Sequence, residues 1–262
     1  MSKKYTIRDI ARQAGVSVAT VSYVINNRDD QRISEETKKK VRQIINLYDY
    51  KPNSSAKSLA TNKTYTAALY LSHEDSLYKR SEQLHVAETL SAVLKRHGYH
   101  LLLQDETDIS QIDYTDAILC YDTTTDFFCE LGDKNLIPLI AIDILIDAPL
   151  PIFFQICTDY RKQKEQADAH FGADNYVYCC LTPNNAEVRT MIRNTFQTVS
   201  FIDRNQDIPS GNIVYSQSSM RTLLPSGSLY LPCDTHSKME QVFVCMELAM
   251  NRVPDCAHLC FV

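Results

Sequence analysis

Two places in this chain combine residue types and spacings that could do chemistry. The first is Cys256-Ala257-His258-Leu259-Cys260, the one local grouping of Cys and His. A metal site needs a second ligand pair, and the chain contains no C-x-x-C to supply one. All nine cysteines lie beyond residue 119. An odd number among apolar neighbours reads as small core residues in a reducing compartment, so neither a metal nor any other cofactor is expected. No stretch resembles a nucleophile elbow, a P-loop or a zinc-hydrolase motif, which argues against an enzyme. The second place is Ala14-Gly15-Val16-Ser17-Val18-Ala19-Thr20-Val21-Ser22-Tyr23-Val24-Ile25-Asn26. Short hydroxyl side chains interleaved with aliphatic ones offer hydrogen bonds and apolar contact, the chemistry of recognition rather than of bond-making.

Two amphipathic segments must position that stretch. Ile7, Ile10, Ala11 and Ala14 recur at helical spacing behind Thr6, a natural N-cap. A second helix starts at Ser17 and turns Val21, Val24 and Ile25 inward. Gly15 takes positive φ without steric cost and allows the sharp turn between them. This is a helix-turn-helix, whose second helix is shaped to enter a DNA major groove. Ser34 caps a third helix, with Glu35 and Glu36 at its positive end and Val41, Ile44, Ile45 and Tyr48 on its inner face. It stops at Tyr50-Lys51-Pro52, since proline disfavours the α region in the residue before it. A short fourth helix is expected over Asn53 to Ala60, and Thr61-Asn62-Lys63-Thr64 reads as a linker.

The motifs Thr6-Ile7-Arg8-Asp9-Ile10-Ala11, Ala14-Gly15-Val16-Ser17, Thr20-Val21-Ser22, Val24-Ile25-Asn26, Tyr50-Lys51-Pro52-Asn53 and Ser58-Leu59-Ala60 occur in this order over the first 62 residues. Together they resemble the DNA-binding headpiece of the lactose-repressor family of bacterial transcription regulators. The resemblance implies that Val18, Ala19 and Tyr23 face the base edges. Val18 and Ala19 offer only apolar contact, for example to a thymine methyl. Tyr23 stands where relatives often carry arginine, so a different half-site is implied. Thr6, Ser17, Thr20, Ser22, Asn26, Ser34 and Thr37 fit the family's phosphate-contacting pattern, which sets register without reading sequence. Ser17 and Ser34 serve equally as helix caps. Tyr50 joins the DNA-binding set. Asn53, Ala56, Lys57, Leu59 and Ala60 match the hinge, whose leucine in relatives wedges into the minor groove.

The charge distribution points the same way. Residues 1–64 hold thirteen Lys/Arg and six Asp/Glu, a balance of +7, and the remainder carries −12. A basic head on an acidic body implies a polyanionic partner for the head alone. The alternative for Lys38-Lys39-Lys40, a solvated helix face, loses ground beside a helix-turn-helix. No apolar run of about 18 residues predicts a membrane span. No apolar run follows the N-terminus to act as a signal peptide. A cytoplasmic protein without a membrane partner is expected.

Beyond the linker, strands and helices alternate. Thr66 to Leu71, His100 to Gln104, Ala117 to Cys120, Leu139 to Ile142, Ile152 to Cys157, Tyr176 to Leu181, Val199 to Ile202 and Ser228 to Leu231 read as strands. Ser81 to His97, Asp126 to Lys134, Tyr160 to Phe171, Glu187 to Gln197 and Lys238 to Asn251 read as helices. This is the βαβ pattern of parallel sheets. Met239, Val242, Phe243, Met246 and Met250 form a stripe that reads as core. The expected fold is therefore an all-α headpiece over 1–62 and an α/β core over 63–262. The family resemblance implies a periplasmic-binding-protein-like core of two lobes that clasps a sugar or nucleobase and dimerises. Here that core is reduced, with about 198 residues left for it. Asp143 and Asp159, at carboxyl ends of strands, and Arg161 are the candidate effector contacts.

The function implied is a sequence-specific DNA-binding regulator, a repressor. It would bind a near-palindromic double-stranded operator as a homodimer and be tuned by a small molecule such as a sugar. Two alternatives remain at this point: a DNA-binding dimer whose core has lost its ligand, and a helix-turn-helix recombinase or transposase.

Overall fold

The computed structural model describes residues 5–25, 32–50, 63–107, 109–146, 153–204, 207–253 and 256–262. The chain divides into two units, Met1–Lys63 and Thr64–Val262. The expected hinge helix over 53–60 lies outside the described residues.

The first unit contains α1 (Ile7–Ala14), α2 (Val18–Ile25) and α3 (Glu35–Leu47). Thr6 opens α1 with a reciprocal capping box. Its hydroxyl accepts the Asp9 amide at 3.4 Å, and the Asp9 carboxylate accepts the Thr6 amide at 3.0 Å. Gly15 closes α1 in the left-handed region at φ +68°. Ile10, Ala11, Ala14, Val21, Val24 and Val41 are buried together, with Ile25, Ile44, Ile45 and Tyr48 packed around them. The apolar positions read from the sequence are thus the ones that meet.

The second unit is built on two parallel sheets. The larger has strand order β2-β1-β3-β4-β5-β10, formed by β1 (Thr66–Leu71), β2 (His100–Asp105), β3 (Ala117–Tyr121), β4 (Leu139–Ile142), β5 (Phe153–Cys157) and β10 (Leu259–Phe261). The smaller has order β7-β6-β8-β9, formed by β6 (Val177–Leu181), β7 (Val199–Ile202), β8 (Ile213–Tyr215) and β9 (Leu229–Tyr230). Every pairing in both is parallel. Five consecutive buried residues in β3 show why its sequence lacks alternation: helices cover both faces.

In the first lobe, α4 (Leu77–Arg96) and α8 (Thr235–Met250) cover one face of the sheet, and α5 (Thr125–Lys134) covers the other. In the second lobe, α6 (Tyr160–Phe171) and α7 (Ala186–Thr195) pack on Tyr178, Cys180 and Val214. A 3-10 turn at Ser218–Thr222 covers the opposite face through Met220. The chain passes to the second lobe after β5 and returns through α8 to β10. The Met stripe of α8 packs in the core, as its spacing suggests.

Three details differ from the sequence expectation. Helix α4 begins at Leu77, not Ser81, because Ser76 caps it through the Lys79 amide. Helix α8 begins at Thr235 because Asp234 accepts the Ser237 amide at 3.0 Å. Strands β8 and β10 have three residues each, too few to show a period, and their pairing comes from neighbouring strands. The Cys256 to Cys260 stretch leads into β10, and all nine cysteines are free. Among the described residues no group of His, Cys, Asp and Glu could hold a metal ion. Among them, too, no helix is long and apolar enough to cross a membrane.

Candidate nucleic-acid interface and interlobe crevice

The headpiece sorts its second helix into two faces. Val21 and Val24 point into the core, whereas Val18 is 42 % exposed and Ala19 and Ser17 are also exposed. Val18 therefore stands outside the headpiece core. Thr20, Ser22 and Tyr23 are half-buried on the flanks. Ser17 caps α2: its hydroxyl accepts the Thr20 amide at 3.0 Å and lies 2.9 Å from the Thr20 hydroxyl. Ser34 repeats the arrangement at α3, accepting the Thr37 amide at 3.2 Å with the two hydroxyls 2.9 Å apart. The expected phosphate contacts Thr6, Ser17 and Ser34 each sit at the N-terminus of a helix. There, unpaired amides and the helix dipole favour an anion.

Tyr50 packs against the headpiece core, and burial pushes its phenol above the ordinary range. Its ring therefore supports the fold whatever else it touches. Lys38 pairs with Glu35 at 2.8 Å, so only Lys39 and Lys40 of the lysine run are exposed. Asn26, Asn53, Ala56, Lys57, Leu59 and Ala60 lie outside the described residues.

In the second unit the carboxyl ends of the parallel strands converge on a crevice between the lobes. Ser72 follows β1, Asp122 follows β3, Asp143 follows β4 and Thr158 follows β5; from the other lobe come Asn184 after β6 and Ser216 after β8. This is where open parallel sheets hold ligands. The free space within it is only about 50 Å³, lined by Lys79, Glu82, Tyr121, Tyr160, Tyr178 and Lys238 among others. That suits a few water molecules.

Side chains of the chain itself fill the rest. The Asn184 amide oxygen accepts Lys79 Nζ at 2.7 Å. Its amide nitrogen lies 2.7 Å from Ser72 Oγ, 2.6 Å from Glu74 Oε1 and 2.9 Å from the Asp122 carbonyl. Its backbone N–H donates to Asp122 Oδ1 at 2.8 Å. Lys79 also pairs with Glu74 at 2.5 Å. Further ties cross the crevice: Ser219 Oγ donates to Glu82 at 2.8 Å, Thr125 Oγ1 donates to Glu187 at 3.0 Å, and Asn185 Nδ2 donates to Thr125 Oγ1 at 2.9 Å.

Burial raises the Asp122 carboxyl to about 7. Lys79 and the Asn184 amide oppose that shift, while Asp143 and Glu74 add to it. For Lys238 burial acts downward, but Asp143 beside it carries the ammonium above its usual value.

Of the three expected effector residues, only Asp143 reaches the crevice, and it is saturated. It accepts Lys238 Nζ at 3.0 and 2.9 Å and the Thr158 amide at 3.1 Å. Asp159 caps α6 by accepting the amides of Arg161 and Lys162. Asp159 and Arg161 border a broad open groove with α7 and β10 instead. The sequence reading missed Ser72, Glu74, Lys79, Asn184 and Lys238. The signal available for Asn184 was its place in Thr182-Pro183-Asn184-Asn185, a turn directly after a strand.

Residues 6–53 match the family described as bacterial regulatory proteins, lacI family. Catabolite control protein A of Streptococcus mutans is 33% identical over 115 residues, covering 43% of this chain and 33% of the relative. The HTH-type transcriptional regulator RegA of Clostridium acetobutylicum is 40% identical over 107 residues, covering 40% of this chain and 30% of the relative. The matches thus span about a third of these relatives' length. Among solved structures, a lac repressor dimer bound to operator and the anti-inducer ONPF superposes with a TM-score of 0.60 at 13% identity, covering 99% of this chain and 96% of that one. A transcriptional regulator CelR–cellobiose complex gives 0.53 at 14% identity, covering 98% and 97%. At such identity these two establish the fold: a helix-turn-helix headpiece and a two-lobed α/β core.

Proposed function

We propose that this chain, whose residues 6–53 belong to the lacI family of bacterial regulatory proteins, is a sequence-specific DNA-binding transcription regulator. The observation that carries this reading is the sorting of α2, with Val18 and Ala19 exposed while Val21 and Val24 close the core. The protein acts as a repressor and binds a near-palindromic operator as a homodimer. One helix-turn-helix reads few base pairs, and two-fold symmetry is the usual way to gain affinity. The lacI-type headpiece favours this over a recombinase or transposase.

In this reading α2 lies in the major groove, and Thr6, Ser17, Thr20, Ser22, Asn26, Ser34 and Thr37 take phosphates. The hinge segment from Asn53 to Ala60 enters the minor groove, where Leu59 wedges between bases. Selection from random DNA with the full chain tests this: the enriched sites should be inverted repeats. Affinity should fall steeply with salt as the basic head displaces counterions. Enrichment of no site, or a headpiece monomer that binds as tightly as the full chain without a salt slope, would overturn it. Of the ligands held by the solved neighbours, a disaccharide finds little room in this crevice, which keeps only about 50 Å³.

A further inference from the structure

We infer that the crevice is self-liganded: the Asn184 carboxamide, held by Lys79, Ser72, Glu74 and Asp122, keeps the lobes closed in place of a small molecule, so DNA binding needs no effector. This rests on the regulator reading above and deepens its regulation.

Three observations carry it. First, Asn184 stands at the carboxyl ends of β1, β3 and β6, the position a ligand takes in parallel sheets. Its amide oxygen and nitrogen both have partners, and every one of those partners belongs to the opposite lobe. A carboxamide supplied by the chain thus plays the part that a ligand's polar groups would play.

Second, the charged groups around it already have partners. Lys79 pairs with Glu74, Lys238 pairs with Asp143, and Glu82 accepts Ser219. A sugar would have to break these contacts and leave buried charges unpaired, which is costly. Third, the remaining space, about 50 Å³, falls far below the roughly 300–1,000 Å³ of small-molecule pockets. A ligand shifts an equilibrium only by binding the two states differently, and an open state that the chain itself outcompetes gives it no hold.

The experiment uses the full chain and its selected operator at one salt concentration. Saccharides of one and two rings (glucose, galactose, cellobiose, sucrose) at millimolar concentration should leave both the operator Kd and the melting temperature of the wild type unchanged. Asn184→Ala should lower the melting temperature of the core by at least about 3 °C and enlarge the scattering radius as the lobes part. Acetamide, the free form of the lost group, should recover part of that loss in the variant and none in the wild type. Should Asn184→Ala not fold, Ser219→Ala removes a second tie and should also enlarge the radius.

A saccharide that raises the wild-type melting temperature and changes operator affinity tenfold overturns the inference. So does Asn184→Ala with an unchanged radius and melting temperature, or acetamide acting equally on both proteins. A wild type that binds no DNA overturns the regulator reading instead, while the melting and scattering arms still decide the closure.

Discussion

Lys238 Nζ lies 3.0 and 2.9 Å from the two carboxylate oxygens of Asp143, with Thr158 Oγ1 at 2.6 Å completing the site. The pair ties the first turn of α8 to the end of β4, so the returning chain is fastened to the larger sheet by charge as well as by its Met stripe. Lys238 is 4 % exposed, which sets the consequence of breaking the pair. Lys238→Met strands the Asp143 carboxylate and should destabilise the core by about 3–5 kcal/mol, the usual penalty for an orphaned buried charge. Asp143→Asn with Lys238→Met should recover most of it. Urea denaturation of the three variants checks this, and a single-variant loss below about 1 kcal/mol would show the pair to be ornamental. The raised Lys238 value places its titration above the ordinary lysine range, so its stabilising share stays constant below about pH 10.

Asp122 behaves oppositely. Its carboxyl sits at about 7 in the fold, far above an unfolded carboxyl, because burial disfavours the charge. Between roughly pH 4 and 7 the folded chain therefore holds a proton that the unfolded chain releases, and stability falls as pH rises through that window. The size is roughly 3–5 kcal/mol at one pKa unit per 1.36 kcal/mol. Asp122→Asn should flatten the melting profile between pH 5 and 8 and raise stability at pH 8. It should do so without loosening Asn184, whose backbone N–H can still donate to the new amide oxygen. An unchanged profile would place the titrating group elsewhere.

The headpiece turn gives a prediction of a different kind. At Gly15 an added Cβ would meet nothing nearer than Lys40 Nζ at 3.9 Å, so space is not the obstacle. The backbone is: φ is +68°, where side chains cost about 1–2 kcal/mol. Gly15→Ala should lower headpiece stability by that amount and Gly15→Asn by less, since asparagine tolerates this region. Amide exchange at Ile10 and Val21 in the full chain measures it. Equal losses for alanine and asparagine would point to packing rather than conformation.

These cases show why parts of the molecule were legible and others were not. The headpiece could be read because its signals are local. Caps at Thr6, Ser17 and Ser34, a glycine turn and 3.6-residue spacing each leave a mark within a few positions. The alternation of the core was legible for the same reason in β1 to β7, where the strands are four to six residues long and mostly apolar. The crevice was not, because Asn184 meets Ser72 at a separation of 112 residues, and Lys238 meets Asp143 at 95. Nothing near Lys238 distinguishes it from a surface lysine until the fold brings β4 beneath it. Asp159 misled for the converse reason: its place after a strand suggested a ligand contact, and its local sequence made it the cap of α6.

The last prediction separates recognition from folding on α2. Val18 is 42 % exposed and outside the buried cluster, so Val18→Ser should change headpiece stability by no more than about 0.5 kcal/mol. If it faces a thymine methyl, the same change should weaken operator binding by roughly 1–3 kcal/mol, the cost of one mismatched contact. Binding to random DNA, which rests on the basic residues, should change little. Tyr23→Arg makes the complementary test. A guanidinium can reach guanine with two donors where the phenol offers one group, so selection with this variant should enrich guanine at a single half-site position. Val21→Ser is the control: Val21 is fully buried, and its loss should lower stability and both kinds of DNA binding together. The measurements are operator and random-DNA affinity at one fixed salt concentration beside a melting curve for each variant. If Val18→Ser and Val21→Ser lose operator and random-DNA binding in the same proportion, the exposed face of α2 is not the reading surface.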